Sequence, residues 1–493
     1  MSTPAAASPA LPTKPTILVE AQTKTRPRNV DLLHDWQYVE RSVQRLLAAW
    51  GRDVAGWEDK SGIHRHVWDQ AECIRRLRER IEQFPGGKAE APVSPRLECL
   101  VNTVLLAPGL DDALDGIYEL LLKTLVGAYG EYMATVHPVH DAPTIALLHE
   151  INQIKSQQWL WYRDYRRRFP HQTDPAYRTR VTALLGDCGH FRTALPVAPG
   201  EAAQPAGLAT DFRLRKFSAR TVPIRPRQPF MDYVRADFAT NLEARRLFWA
   251  YGYMLEKNLP DDQLIWLYYG HHMPWAWQHD ISRHLWDESR HGDSGYSRLR
   301  DFGISLEDVG FSGYDQAVRE TELTQQAERL GLTRDEAFAR QNELLAPCRA
   351  DPLTKAQLYE HVFMIGLVAE TGHFVVKNEG YVDFKEGQDL HSAEMMLFDI
   401  IDETAHVQYA HKWLPLLAEF AGIDNSGYRE RGVKIREDSQ ARAIVTARDL
   451  GQKLPRTAGH PCYDFYQDLL ARIRAACPLT NAATCPPRSP KPM

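Results

Sequence analysis

The sequence predicts an all-α protein that contains two tandem helical units. Apolar residues recur three and four positions apart through residues 29–185 and again through 229–425, which is typical of amphipathic helices. Few segments show the strict alternation of a half-buried strand. Residues 64–70 and 282–288 also share Arg, His, Trp and Asp in the same register. We interpret the two regions as copies of one helical unit, with chance similarity between amphipathic helices as the alternative.

The remaining segments differ from these two regions in composition. Residues 1–28 are rich in Pro, Ala and Thr and are predicted to be a disordered N-terminal segment. Residues 186–228 combine a Pro/Ala/Gly-rich stretch with a basic end, which predicts a linker and favours a solvated connection. Residues 426–493 are expected to form a helical C-terminal extension and a tail.

Composition and charge exclude several classes of protein. The 493 residues carry a formal net charge of −5, which argues against a nucleic-acid partner. No apolar stretch approaches 18 residues, so no membrane span is expected. The N-terminus lacks the apolar core of a signal peptide, and the seven Cys form no C-x-x-C pair, which argues against secretion and against a zinc ribbon. We therefore expect a cytoplasmic protein.

Two Glu-x-x-His pairs in the second region indicate a metal site. Glu288 and His291 form one pair, and Glu403 and His406 form the other. Residues three apart lie on one face of a helix, so each pair can present a carboxylate and an imidazole to the same point. A helix bundle that binds two metal ions needs two such pairs and one Glu from each of two further helices. In a bundle with short loops, consecutive ligands should lie about 30 residues apart.

The spacing identifies the two further carboxylates. Counting back 32 residues from Glu288 reaches Glu256, and counting back 33 from Glu403 reaches Glu370. Both lie in otherwise apolar helical stretches, where an unpaired carboxylate would be costly to bury. The predicted ligands are Glu256, Glu288, His291, Glu370, Glu403 and His406.

Residues 287–291 read Asp-Glu-Ser-Arg-His, and residues 402–406 read Asp-Glu-Thr-Ala-His. These motifs resemble the D-E-x-R-H signatures of the ferritin-like di-iron carboxylate superfamily, in particular the soluble bacterial multicomponent monooxygenases, although the second motif lacks the Arg. The resemblance implies two tandem ferritin-like four-helix bundles, the second of which, at 229–425, holds the metals. It also implies that Asp287 and Asp402 accept hydrogen bonds from the ligand histidines and so orient them, with a surface or capping role as the alternative.

The first copy has the repeated Arg, His, Trp and Asp but has other residues at the predicted ligand positions. Gln70 and Cys73 occupy the positions of the first Glu-x-x-His pair, and Glu150 and Gln153 occupy those of the second. An amide and a thiol in place of a carboxylate and an imidazole should abolish a di-iron site. We therefore predict that 29–185 is a degenerate, metal-free bundle, with an unrelated helical domain as the alternative.

Several residues near the predicted ligands have two interpretations. His373 lies one turn from Glu370 and is either an extra ligand or a packing residue, and His284 either faces the site or is structural. Tyr253 and Tyr409 each lie one turn from a ligand and are more typical of a core than of a radical site. Gly295 either leaves room for O2 and substrate or permits close helix packing.

The ligand types indicate the chemistry. Carboxylates with two imidazoles and no thiolate suit Fe or Mn rather than a structural zinc site. The sequence therefore predicts a non-haem di-iron oxidase or oxygenase that uses O2 as co-substrate on a small organic substrate, with a Mn/Fe pair as a variant. No flavin or nicotinamide fingerprint is present, so an external electron donor is expected, and a homodimer is the default assembly. The alternatives are a ferroxidase or iron-handling protein and a non-catalytic helical scaffold.

Overall fold

The computed structural model of this chain describes residues 28–197, 211–221, 229–313 and 315–477. The predicted disordered segment before residue 28, most of the linker and the tail after residue 477 lie outside these residues. The described residues are predominantly helical, and no strand occurs among them beyond one isolated backbone bridge between Arg215 and Arg349. The predicted all-α class is therefore confirmed. None of the helices in the described ranges combines the length and apolar composition needed to cross a bilayer.

The helices divide between two compact units. The first unit contains described residues 28–43 and 72–197, and the second contains 44–71 and the described residues from 211 onward. Helices of the N-terminal half are α1 (Arg28–Trp50), α2 (Trp57–Glu82), α3 (Pro95–Leu105), α4 (Leu110–Asp115), α5 (Lys123–Thr135), α6 (Ala142–Arg168) and α7 (Pro175–Asp187). A π-helical turn, Gly116–Leu122, joins α4 to α5. The chain passes from one unit to the other within α1 and again within α2.

The second unit contains the longer series of helices. They are α8 (Phe230–Asp237), α9 (Leu242–Glu256), α10 (Asn258–Tyr269), α11 (Trp275–Asp301), α12 (Leu306–Val309), α13 (Gln316–Leu330), α14 (Arg334–Ala339), α15 (Gln341–Leu344), α16 (Lys355–Phe363), α17 (Glu370–Glu386), α18 (Leu390–Ala421), α19 (Tyr428–Lys453) and α20 (Pro461–Ala476). A second π-helical turn, Met364–Ala369, joins α16 to α17. Helix α20 packs Tyr466, Leu469 and Ile473 into the core of this unit.

Four of these helices, α9, α11, α17 and α18, pack around a polar centre. Asp280 near the start of α11 accepts a hydrogen bond from Lys412 near the end of α18, at 2.7 Å. Arg298 near the end of α11 donates to Ser392 at the start of α18, at 2.9 Å, so these two helices are antiparallel. Helices α17 and α18 are also antiparallel, because Gly380 lies beside Met396 while the preceding π-helical turn lies beside Ala410.

Close packing of α9 against α11 depends on Gly295. A Cβ atom at this position would lie 2.3 Å from the backbone nitrogen of Met254 and 2.7 Å from the backbone oxygen of Ala250. Both distances are far inside van der Waals contact, and both partners are backbone atoms that cannot rotate away. Of the two interpretations of Gly295, the structure shows close helix packing.

We expect Gly295→Ala to destabilise the second unit by about 1–3 kcal/mol, because the helices must separate to admit the methyl group. Gly252→Ala on α9 is the matched control, since a Cβ there has no neighbour within 4 Å and alanine favours a helix by about 1 kcal/mol. Urea unfolding of both variants measures the difference. Equal stability of Gly295→Ala and the wild type would contradict the packing argument.

The basic end of the predicted linker is buried. Leu214, Phe217 and Ala219 are at most 2% exposed, and Arg215 and Arg220 are at most 6% exposed. The interpretation of this segment as a solvated connection is therefore wrong for residues 214–220. The reason is that its charges have buried partners: Arg220 donates to Asp261, and Arg215 donates to the backbone oxygen of Phe217 at 2.8 Å.

Asp261 in α10 is the centre of a buried ion cluster. Lys60 Nζ lies 3.1 Å from Asp261 Oδ1, Arg220 donates to Oδ2, and Arg52 donates to the Asp261 backbone oxygen at 2.7 Å. Burial opposes ionisation of the carboxyl, but these cations hold the pKa of Asp261 well below its usual range. Burial also lowers the pKa of Lys60 to about 7. One carboxylate therefore compensates several buried cations.

Candidate metal centre

The structure brings the six predicted ligands together at the centre of the second unit. Glu256 ends α9, Glu370 begins α17, and the two Glu-x-x-His pairs lie at mid-length of α11 and α18. Five of the six residues are buried, and the side chain of Glu256 is 20% exposed. Their ligand atoms, with those of His284 and Asp399, fall into three overlapping groups, and the two groups that contain His291 together form the second of two positions.

The first position lies between α11, α17 and α18. Ligand atoms of His284, Glu288, Glu370 and His406 all lie within 4.8 Å of one another. The His284 Nε2 is 3.2 Å from Glu288 Oε1, and the His406 Nδ1 is 3.4 Å from the same oxygen. The two imidazoles stack with their centroids 3.7 Å apart. The structure therefore places His284 among the ligand candidates, whereas the sequence left it between a site role and a structural one.

The second position lies on the α9 side of Glu288. The His291 Nδ1 is 3.5 Å from Glu256 Oε2 and 3.8 Å from Glu288 Oε2. Asp399 of α18 places its Oδ1 3.4 Å from the same nitrogen. Because Glu288 turns Oε1 to the first position and Oε2 to the second, it lies where a carboxylate shared by two ions would lie.

Unpartnered atoms at these positions fit a metal pair. Within the described residues, the following buried atoms of the centre make no hydrogen bond: Glu256 Oε2, Glu288 Oε2, His291 Nδ1, Glu370 Oε1 and Asp399 Oδ1. Buried polar atoms normally have a partner, and each one without a partner loses free energy on burial. A divalent cation at each position would supply the missing partner, and the oxygen and nitrogen donors are those that Fe and Mn accept.

Two aspartates hold the ligand imidazoles in a crossed arrangement. His291 Nε2 lies 3.1 Å from Asp402 Oδ2, and His406 Nε2 lies 3.4 Å from Asp287 Oδ2. Each aspartate thus contacts the histidine of the other helix and leaves its Nδ1 turned to the centre. Arg290 donates to both Asp287 and Asp402 and thereby joins α11 to α18. The contacts place Asp287 and Asp402 where they would orient the two imidazoles.

Sequence analysis missed two charged residues of the centre, Lys377 and Asp399. The buried Lys377 Nζ lies 2.7 Å from Asp399 Oδ2 and 2.9 Å from Glu403 Oε1. Burial alone would lower the pKa of Lys377, but the two carboxylates hold it well above its usual value. A signal was present: Lys377 follows Glu370 by seven residues and Asp399 precedes Glu403 by four, so each shares a helical face with a predicted ligand.

A cavity of about 230 Å³ reaches the second position. His291 and Asp399 line it together with Arg290, and Tyr253, Met395 and Phe398 add apolar surface. Ser294, His391 and Glu394 complete the lining, so the cavity places a small space with both polar and apolar walls beside the second position.

The structure also places the other residues that the sequence singled out. His373 is exposed and joins no metal-ligand group within the described residues, although it lies one turn from Glu370. Tyr253 is buried and donates to Asp399 Oδ2 at 2.9 Å. The Tyr409 ring centroid lies 6.4 Å from that of His406. Tyr253 therefore fixes a carboxylate beside the second position, while Tyr409 packs beside the first.

In the first unit, α6 turns a different face inward from the predicted one. Glu150 and Gln153 are exposed, so the predicted match of these residues to the second Glu-x-x-His pair is wrong. Lys155 and Gln158 are the buried i, i+3 pair of α6, and Lys155 donates to the buried Glu40 of α1 at 2.6 Å. The apolar residues of α6 lie on both sides of the helix, which explains why the sequence pattern selected the wrong face.

Two of the predicted ligands, Glu256 and His291, have raised pKa values. Burial raises the pKa of Glu256 to about 8. Burial would lower the pKa of the His291 ring, but Asp399 and Asp402 outweigh it and raise this pKa well above its usual value. Both groups therefore carry a proton at pH 7, and an ion that binds them must displace it.

We expect Mn²⁺ binding to release protons and its affinity to rise between pH 6 and pH 8, by about tenfold per pH unit for each proton released. The sign follows from the raised pKa values, because the protonated forms of Glu256 and His291 do not bind a cation. Titration calorimetry in two buffers of different ionisation enthalpy counts the protons. An affinity that is constant over this pH range would contradict the expectation.

Comparison of the chain with family models, with curated proteins and with solved structures found no match.

Proposed function

We propose that this chain is a ferritin-like di-iron carboxylate protein that uses O2 to oxidise a small organic molecule. The observation that carries the proposal is the convergence of unpartnered carboxylate and imidazole atoms on two adjacent positions that share Glu288. Two ferrous ions at these positions, or a Mn/Fe pair, would supply the electrons for O2 reduction, which no side chain of the centre can supply.

The helix arrangement supports the superfamily assignment. Helices α11 and α18 are antiparallel, as are α17 and α18, and a long connection between α11 and α16 carries the small helices α12–α15. One long crossover in a bundle with antiparallel neighbours is typical of ferritin-like folds. We further propose that residues 29–185 are a degenerate copy of 229–425, since they contain a π-helical turn before α5 as the second region does before α17.

Side chains of this chain would hold, orient and screen the metal pair. Asp287 and Asp402 fix the imidazoles so that Nδ1 of each faces the centre, and Arg290 neutralises the two aspartates. The cavity beside His291 and Asp399 would hold the substrate next to the second position. An external donor would supply further electrons when turnover needs more than the pair provides.

Anaerobic loading with Fe(II), followed by elemental analysis and O2 uptake, tests the proposal. We expect about two Fe per wild-type chain and almost none in the double variant Glu288→Ala/His291→Ala. Glu379→Gln, at an exposed carboxylate of α17, is the control and should bind as the wild type does. O2 uptake that continues when a chemical reductant is added would support an oxidase or oxygenase.

Two results would point to the alternative functions. O2 uptake that stops once the bound Fe(II) is oxidised, while added Fe(II) restores it, would indicate a ferroxidase. No bound iron in the wild type would overturn the di-iron proposal and favour a helical scaffold.

A further inference from the structure

Lys377 introduces an asymmetry between the two metal positions. Its ammonium group lies among the carboxylates of the centre, at 2.7 Å from Asp399 and 2.9 Å from Glu403, and it is only 2% exposed. The aromatic face of Tyr253 lies beside it, with 5.6 Å between Nζ and the ring centroid. A cation is thus built into the same cluster that would receive two further cations.

The contacts of Glu403 show which position this lysine affects. Glu403 Oε2 lies 3.3 Å from His406 Nδ1 and therefore faces the first position. The other oxygen, Oε1, accepts the hydrogen bond from Lys377, although Glu403 also groups with His291 and Asp399. The Glu403 oxygen that is available to the second position is therefore the one that Lys377 holds.

Asp399 is held in the same way. Its Oδ1 lies 3.4 Å from His291 Nδ1 in the second position, while Oδ2 accepts hydrogen bonds from Tyr253 and pairs with Lys377. At the first position, His284, Glu288, Glu370 and His406 have no lysine or arginine partner among the described residues. Lys377 thus pairs with both Asp399 and Glu403 on the side of the second position, whereas at the first position it affects Glu403 alone, through the oxygen that faces away from His406.

We infer that Lys377 makes the two positions unequal, so that one ion binds first beside His284 and His406 and a second, weaker ion binds beside His291. This inference rests on the proposed function, since it concerns the order in which the proposed metal pair assembles. A fixed ammonium repels a second cation and holds Glu403 Oε1 and Asp399 Oδ2, and both effects weaken the second position.

The charge balance of the centre favours a Lys377 ammonium that remains in the cluster when two ions bind. Asp287 and Asp402 are paired with Arg283 and Arg290, which leaves Lys377 against the five carboxylates Glu256, Glu288, Glu370, Asp399 and Glu403. Two divalent ions and one ammonium balance these five carboxylates. Lys377 therefore compensates the carboxylate that Asp399 adds to the four glutamates, and the second ion must bind while this cation remains.

A Mn²⁺ titration of the full-length chain, with free Mn²⁺ measured by EPR, tests the inference. We expect two binding steps in the wild type, with the affinity of the second step at least about tenfold lower than that of the first. Lys377→Met should narrow this difference by strengthening the second step. Lys377→Arg keeps the charge and should preserve the difference in affinity between the two steps. The control Lys385→Met, at an exposed lysine of α17, should also preserve this difference.

A second set of variants keeps the test decisive if Lys377→Met does not fold. Glu370→Gln should weaken the first, tighter step, and Glu256→Gln should weaken only the second.

The inference is overturned if the wild type binds two Mn²⁺ ions with equal affinity, or if Lys377→Met leaves or weakens the second step. Either result leaves the proposed function intact, because two ions still bind. Binding of no Mn²⁺ by the wild type overturns both the inference and the proposed function, because the first position should bind an ion whether or not Lys377 is present.

Discussion

Replacement of Glu288 by glutamine is expected to empty both metal positions. Its Oε1 lies 3.2 Å from His284 and 3.4 Å from His406, while its Oε2 faces His291 at 3.8 Å. Glu403 also lies near an imidazole of each position, but its Oε1 accepts a hydrogen bond from Lys377, whereas both oxygens of Glu288 face imidazoles. An amide has one oxygen in place of two and no charge, so we expect Mn²⁺ affinity to fall by about 100-fold or more at both positions.

Single-position variants make this prediction specific. Glu370→Gln should leave one ion bound beside His291, and Glu256→Gln should leave one bound beside His284. Elemental analysis after gel filtration should give about zero, one and one ion per chain for the three variants, and about two for the control Glu379→Gln. Retention of one ion by Glu288→Gln would show that the two positions do not share this carboxylate.

Asp261→Asn is expected to have the largest effect on stability. The substitution keeps the shape of the side chain but leaves the buried Lys60 and Arg220 without their shared counter-ion. Loss of one partner from a buried ion pair destabilises a protein by about 3–5 kcal/mol, since the remaining charge is neither solvated nor paired. Urea unfolding at pH 7, followed by tryptophan fluorescence, measures this loss.

The neighbouring carboxylate provides the control for this prediction. The Asp262 side chain is 41% exposed, so Asp262→Asn should change the stability by less than about 1 kcal/mol. The double variant Lys60→Met/Asp261→Asn should regain part of the loss, because it removes a cation together with its partner. Equal effects of Asp261→Asn and Asp262→Asn would show that the cluster does not depend on Asp261.

The sequence was sufficient to predict which six residues cluster, because the spacing of such residues along the chain follows from helix geometry. Glu256 and Glu370 were identified by distance along the chain from the Glu-x-x-His pairs, and the structure brings all six predicted ligands into one centre. The positions of Asp287 and Asp402 beside the histidines were predicted from a motif resemblance, and their crossed contacts agree with it.

Features that depend on the pairing of distant helices could not be predicted. Lys377 and Asp399 lie on ligand faces, but only the packing of α17 on α18 shows that they pair. The face of α6 was misassigned because Glu150 and Lys155 both lie among apolar residues, and only burial distinguishes them. Residues 214–220 looked solvated because the carboxylate that pairs with Arg220 lies in α10.

The passage of the chain between units within α1 and α2 has a consequence for biosynthesis. Residues 44–71 belong to the second unit, yet they leave the ribosome before residues 72–209 of the first unit and more than 300 residues before His406. At 5–20 residues per second, this segment waits roughly 15–70 s for its partners. Neither unit is a continuous stretch of chain. Residues 44–71 must therefore stay accessible while the first unit is synthesised, and the second unit can complete its fold only afterwards.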